Sequence, residues 1–189
     1  MLSTLRSHFD RLERQRHALL DDLLAHTPAQ LAFIPAPGSW SLAALIQHLV
    51  LVEEGTLRFV TLKAPRPANG RTLVHRLRWM AVRLAGPSPI RARAPNAAII
   101  PEVDVPVETL VARWETVRAG LESYLERVTE PQLELLVLKH PIAGPLPILD
   151  TLQFLEMHLI HHGHQIRRIR AAPGWPAAAP TVPRASAIA

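Results

Sequence analysis

The sequence predicts an all-α four-helix bundle, and three observations carry this prediction. Four long segments show hydrophobic residues at helical spacing, no segment shows the alternation typical of strands, and the 18 prolines cluster in the connections. The chain has 189 residues, of which 48% are hydrophobic, so one domain with a sizeable core is the simplest arrangement. Helices with one apolar face bury that face most simply against one another.

The four predicted helices cover residues 2–25, residues 41–62, the segment after Pro106 to about residue 128, and residues 150–172. Ser41 and Asp150 are good N-cap residues and predict where the second and fourth helices begin. A shorter amphipathic stretch over residues 72–84 predicts an extra helix in the long connection between the second and third helices. We therefore expect one bundle domain over residues 1–172. Residues 173–189 are rich in proline and alanine and predict a tail without a core.

A pair of histidines in the last helix predicts a metal site. His158 and His162 are four residues apart, hence one turn apart on one helix face, and can bind one divalent ion together. The best third ligand is His48, on the apolar face of the second helix. We expect the ring nitrogens of the three residues to lie within about 4 Å of one another. Three neutral imidazoles leave a coordination position open, which is typical of a catalytic rather than a structural zinc site.

Two further residues of the last helix flank this histidine face. His161 and Gln165 are four residues apart and are candidates to hydrogen-bond the ligand rings from behind, or are an ordinary polar flank. His140 begins a tight loop that includes Gly144, and it either faces the entrance of the site or is a turn residue. The His-Glu-x-x-His motif of zinc proteases and the paired Glu-x-x-His motifs of di-iron bundles are both absent.

Composition excludes several classes of protein. The chain has no cysteine, which excludes disulfides, thiolate zinc sites and cysteine nucleophiles. No apolar run approaches the roughly 20 residues of a membrane span, so we expect no membrane partner. The first residues are polar and charged and do not form a secretory signal, from which we expect a cytoplasmic protein.

The net charge of +5 is unevenly distributed. Residues 63–100 contain no acidic residue but eight basic ones: Lys63, Arg66, Arg71, Arg76, Arg78, Arg83, Arg91 and Arg93. This segment is either a solvated arginine face or a patch for an anionic substrate, such as a carboxylate-bearing thiol. Helical spacing puts Arg76 and Arg83 on one face and makes them the preferred substrate-binding pair. Nucleic acid is a weaker alternative, because no nucleic-acid-binding motif accompanies the charge and aromatic residues make up only 5%.

Three motifs occur in order along the chain. Trp40-Ser41 opens a helix that reaches His48, and His140-Pro141 with Gly144 precedes the last helix. That helix carries a His-x-x-His-His-x-x-Gln pattern over residues 158–165. Together these motifs resemble those of the DinB-like superfamily, which includes metal-dependent hydrolases and thiol-dependent S-transferases of the YfiT type. The resemblance extends over about residues 2–172.

The resemblance implies an up-down-down-up bundle and places the family's metal ligands on His48, His158 and His162. It also implies a divalent ion, most often zinc or nickel, and a low-molecular-weight thiol as cosubstrate in several relatives. The predicted function is a metal-dependent enzyme that activates water or such a thiol for hydrolysis or S-transfer to a small molecule. The alternative is a non-catalytic, stress-associated bundle or dimerisation module that retains a metal for structure; a homodimer is compatible with both.

Overall fold

The computed structural model describes residues 1–89, 97–101 and 105–177. Its helices are α1 Ser3–Leu24, α2 Pro28–Ala32, α3 Leu42–Leu62, α4 Leu73–Ala85, α5 Val107–Glu126 and α6 Ile148–Arg170. A two-stranded antiparallel sheet pairs β1 Leu136–His140 with β2 Gly144–Pro147. The four long helices α1, α3, α5 and α6 and the extra helix α4 confirm the predicted fold class.

The predicted helix start at Ser41 is confirmed, whereas the one at Asp150 is wrong. The Ser41 hydroxyl accepts a hydrogen bond of 3.1 Å from the backbone N–H of Ala44. α6 instead begins at Ile148 with Pro147 before it, because β2 leads directly into the helix. Asp150 lies in the first turn, where a carboxylate interacts favourably with the helix dipole.

The hairpin of β1 and β2 was not predicted. Its strands have five and four residues, too short for an alternating pattern to be recognised in the sequence. The turn depends on Gly144, whose φ of 77° lies in the left-handed region that side chains disfavour. The backbone of Arg66 also pairs with Leu136, which attaches the connection after α3 to this hairpin.

Charged contacts show that α1 and α6 run in the same direction. Near the start of both helices, His8 contacts Glu156, and near their ends Arg170 contacts Asp22. The residue numbers rise together along the two helices, as they do only in a parallel pair.

The contacts of α1 with α5 give the opposite direction. Arg6 at the start of α1 pairs with Glu122 late in α5, at 2.7 Å, and Arg16 pairs with Glu115 one to two turns earlier, at 2.8 Å. The numbers rise in one helix and fall in the other, so the helices are antiparallel. α5 therefore runs down where α1 and α6 run up.

A buried ion pair joins α3 to α5 and completes the topology. Glu53 accepts two hydrogen bonds from the Arg118 guanidinium, at 2.6 and 2.7 Å, and both side chains are almost fully buried. Arg118 also donates to Glu13 of α1 at 3.1 Å. One turn further along, Leu57 packs against Gly120, so α3 and α5 are parallel. The order is therefore up-down-down-up, with a long connection between the end of α3 and the start of α5.

The start of the predicted tail packs on the bundle. Trp175 contacts the aromatic rings of His26 and Phe33 edge-on, and Gln30 donates a hydrogen bond to the carbonyl of Pro176. One large aromatic side chain is thus enough to hold residues 173–177 against α2, although their composition is poor in core residues. Residues 178–189 lie outside the described part of the chain.

We expect Arg118→Ala to lower the free energy of unfolding by about 3–5 kcal/mol, because Glu53 would remain buried without its partner. Arg113→Ala is the matched control, since it removes the Arg113–Glu54 pair of the same two helices, whose side chains are 37% and 31% exposed. That change should cost less than about 1 kcal/mol beyond any lost packing. Urea denaturation measures both values, and equal losses would contradict a special role for the buried pair.

Candidate metal centre

Three histidines from two helices meet in the bundle. His48 lies on α3, and His158 and His162 lie one turn apart on α6, which packs against α3. The Nε2 atom of His158 is 3.3 Å from that of His48 and 3.0 Å from that of His162. The candidate ligand atoms of all three residues lie within 4.8 Å of one another. Two nitrogens on one tetrahedral ion are separated by about 3.3 Å, so this spacing suits a single ion.

Hydrogen bonds fix which nitrogen of His48 and His162 faces the centre. His48 Nδ1 lies 2.7 Å from the carbonyl oxygen of Ile99, and His162 Nδ1 lies 2.9 Å from the side-chain oxygen of Gln165. Because both oxygens can only accept, each Nδ1 carries the hydrogen and each Nε2 presents a lone pair inward. These two inward lone pairs can bind a cation placed between the rings. The donor set therefore fits a metal ion.

The three imidazoles are neutral at physiological pH. Burial lowers the pKa of His48, and it lowers the pKa of His162 to about 3. His158 keeps a partly exposed edge, yet its pKa lies well below the ordinary value, since the surrounding protein desolvates the ring and His162 and His48 disfavour a further charge. Neutral imidazole is the form that binds metal, so the site is prepared for an ion without losing protons.

Aromatic rings form the wall around the triad. The indole of Trp40 lies against His48 with ring centres 4.7 Å apart. Phe154, one turn before His158, lies 5.5 Å from that ring. These apolar faces lower the polarity around the rings, which strengthens electrostatic interactions at the centre.

His140 lies next to Phe154 and has both a structural and a polar role. Its Nδ1 accepts hydrogen bonds from the backbone N–H groups of Ile142 and Ala143, at 3.2 and 3.0 Å, and its ring contacts Phe154 edge-on at 4.8 Å. The hydrogen of the neutral ring is therefore on Nε2. Within the described part of the chain, this N–H has no hydrogen-bond acceptor. His140 thus holds the hairpin turn and offers one free donor.

The two residues predicted to support the triad differ in what they contact. Gln165 accepts the hydrogen bond from His162 and orients that ring, as the sequence suggested. His161 packs edge-on against His162 at 5.1 Å, but its Nδ1 bonds the carbonyl oxygen of Ser88 and not a triad ring. Among the described residues, His161 therefore forms no hydrogen bond with a triad ring, and of the two alternatives the polar flank agrees better with its contacts. Its role is to hold the connection after α4 against α6.

In the described part of the chain, no hydrogen bond or ion pair joins the predicted substrate-binding arginines to the triad. Arg76 and Arg83 are exposed on α4, and neither forms a hydrogen bond or an ion pair with another described residue. Arg71 of the same basic segment pairs with Asp150 at 2.7 Å. Residues 91 and 93 lie outside the described ranges. A substrate role for Arg76 and Arg83 stays a prediction.

The family model of the DinB superfamily matches residues 11–166. The chain belongs to the DinB superfamily. This assignment covers both helices that carry the three histidines, and it confirms the resemblance found in the sequence motifs. A search of curated proteins gives no significant match.

Two solved structures share the fold of this DinB-superfamily chain. TT2238, a four-helix bundle protein, is 22% identical with a TM-score of 0.51, and the match covers 88% of this chain and 98% of that one. YfiT from Bacillus subtilis, described as a probable metal-dependent hydrolase with an unusual four-helix bundle topology, is 15% identical with a TM-score of 0.57. That match covers 90% of this chain and 88% of YfiT. At these identities the two structures establish the common fold.

Sequence reasoning missed the backbone groups at the site. The carbonyls of Ile99 and Ser88 both come from the connection between α3 and α5, and no residue type signals a backbone acceptor. The position of Trp40 near the site could be inferred from the sequence, because this residue directly precedes the Ser41 cap of the helix that carries His48.

The pKa of His140 predicts a pH dependence of stability. Burial lowers it to about 4, so between pH 6.5 and 4 the unfolded chain binds a proton that the folded chain rejects. The contribution of neutral His140 to the free energy of unfolding is complete above pH 6.5. It falls as the pH falls toward 4, by at most about 3 kcal/mol. His140→Asn keeps an acceptor for the turn but does not titrate, so its unfolding free energy in metal-free buffer should decline less. Parallel curves for the two proteins would show that His140 does not titrate as proposed.

Proposed function

We propose that this protein is a metal-dependent enzyme in which His48, His158 and His162 hold one divalent ion, zinc or nickel. One observation carries the proposal: three Nε2 atoms converge while hydrogen bonds hold the other nitrogens of His48 and His162 in the ligating tautomer. Three protein ligands leave a fourth tetrahedral position for water or substrate. A structural site is usually closed by a fourth protein ligand, and the described residues place no fourth histidine or carboxylate within this group.

The ligand set is uncharged, which supports a catalytic assignment. An ion bound there would supply Lewis acidity, lowering the pKa of a water or thiol to near neutrality and so providing a nucleophile. Because neutral imidazoles do not offset the positive charge, the site favours anionic species over neutral ones. The nearest carboxylate along the helix, Glu156, is directed to α1 instead, where it contacts His8 and Arg11.

The chain's own residues position and shield a substrate. Trp40 and Phe154 supply apolar ring faces beside the triad. The Nε2–H of His140 is a donor that would bind an oxygen or sulfur anion on a substrate placed beyond Phe154. Gln165 and the Ile99 carbonyl keep His162 and His48 oriented while such a substrate binds.

Two reactions are proposed for this site. One is hydrolysis of a small molecule, and the other is transfer of a low-molecular-weight thiol to a small molecule. The structural likeness to YfiT, described as a probable metal-dependent hydrolase, supports hydrolysis as one of the two proposed reactions. For S-transfer, the sulfur has to come from a free cosubstrate, since the chain has no cysteine. Both reactions begin with a nucleophile of the kind that a bound ion would activate, so one site could support either.

Metal addition should stabilise the folded protein. With zinc or nickel at a hundredfold excess over its dissociation constant, the free energy of unfolding rises by about 2.7 kcal/mol, because the ion binds the folded chain. Chelator reverses the rise, and His162→Ala abolishes it. The control His161→Ala changes the adjacent histidine, which bonds Ser88, and should keep the response. Thermal melts together with elemental analysis measure this, and melting that ignores both ion and chelator would refute the metal site.

Catalysis separates the enzyme from a structural metal protein. The metal-loaded protein should hydrolyse activated esters or amides, or conjugate a thiol to an electrophile, and His162→Ala should lose this activity. Gln165→Leu should retain the fold but bind metal about 10–100 times more weakly, since His162 loses its acceptor. Tight stoichiometric metal without turnover in either assay panel would favour the structural alternative.

A further inference from the structure

The outward face of α4 is apolar although it is exposed. Leu73, Val74, Leu77, Met80 and Leu84 are between 53% and 83% exposed. Four of them are spaced by four, three and four residues, so they form one stripe along the helix. A continuous exposed apolar stripe on a folded protein marks a surface that binds something.

The opposite face of α4 is already used. Trp79 is 4% exposed and packs with Ala143 and Leu146 of the hairpin region and with Met157 of α6. His75 lies against Gly144, and the backbone after the helix bonds His161 and His164 of α6. α4 is thus held to the body by one face, and its apolar stripe points away from the core.

Arginines border the stripe on both sides. At 100° per residue, Arg76 and Arg83 lie on one flank and Arg78 on the other, and all three are exposed. The helix contains no acidic residue, and neither does the rest of residues 63–101. An apolar centre between cationic flanks is the pattern of a helix that lies in the plane of a membrane surface.

Charge decides which partner fits this face. A second copy of α4 would oppose arginines to arginines, with no carboxylate on the helix to pair with them. An anionic bilayer offers lipid phosphates to the arginines and acyl chains to the leucines. Spanning is not the mode of contact, since within residues 1–89, 97–101 and 105–177 no helix is long and apolar enough to cross a membrane.

We propose that α4 docks the protein on anionic lipid surfaces, with the stripe of Leu73, Leu77, Met80 and Leu84 at the acyl boundary and its flanking arginines on phosphates. This revises the expectation of no membrane partner, which considered only spanning segments. It also gives Arg76 and Arg83 a role that needs no contact with the metal triad. The proposal concerns α4 and is independent of the reaction that the centre performs.

Vesicle co-sedimentation tests the proposal with the full chain. The protein should bind vesicles of phosphatidylcholine with phosphatidylglycerol in equal parts, and not vesicles of phosphatidylcholine alone. Leu77→Glu should lower the partition coefficient on the order of tenfold, because it puts a charge into the stripe. Arg76→Gln and Arg83→Gln should each lower it about fivefold, and raised salt should weaken binding.

Matched controls make the result specific to α4. Ile34→Glu changes a side chain that is 59% exposed, against 57% for Leu77, but lies between α2 and α3. Arg14→Gln removes an exposed arginine of α1. Both should bind like the unchanged protein. Circular dichroism checks folding, and Met80→Glu, at the same exposure as Leu77, repeats the test if Leu77→Glu loses helix.

Three outcomes would overturn the proposal. No binding to anionic vesicles would exclude a lipid surface and leave a soluble acidic partner as the other occupant. Equal loss in Leu77→Glu and Ile34→Glu would show that the stripe is not inserted. A dimer in solution that Leu77→Glu converts to a monomer, without vesicle binding by either, would assign the face to a second copy.

Discussion

The bundle depends on the buried contact of Arg118 with Glu53 and Glu13. It joins α1, α3 and α5 at one point, and Arg118 and Glu53 are almost fully buried there, so separating either one from its partner would leave a buried charge unpaired. α3 and α5 are parallel, so a long connection leads from the end of α3 to the start of α5. The carbonyl of Ile99 in that connection bonds His48, so the orientation of one proposed metal ligand depends on this arrangement of the two helices.

Charge is segregated within the same bundle. The ion pairs of α5 with α1 and with α3 bring guanidinium groups into contact with carboxylates. Around the triad the rings are neutral and aromatic, and Glu156 is turned away because it is only two residues before His158. A single helix therefore presents a charged edge to α1 and an uncharged, ligating edge to α3.

The crossover makes α4 a helix with two separate environments. Its buried side completes a small apolar cluster with the hairpin and with Met157, the residue before His158. Its outer side carries large apolar residues that no described part of the chain covers. Trp79, Leu146 and Met157 belong to this one cluster, so the same face of α4 is held to both the hairpin and α6.

The sequence by itself determined the helices, the Ser41 cap and the pairing of His158 with His162, because these depend on periodicity and on neighbours within one turn. It also indicated His48, since a histidine on an apolar helix face needs a partner. The short hairpin was missed because its strands are too short to show an alternating pattern. The start of α6 at Ile148 was missed because the strand before it leads directly into the helix, although Asp150 is locally a good cap. Only the tertiary structure decided the bond between His48 and Ile99, 51 residues apart, and the pair of Glu53 with Arg118, 65 residues apart. Such contacts depend on how whole helices pack, and a local sequence pattern does not indicate which distant group will lie beside a given residue.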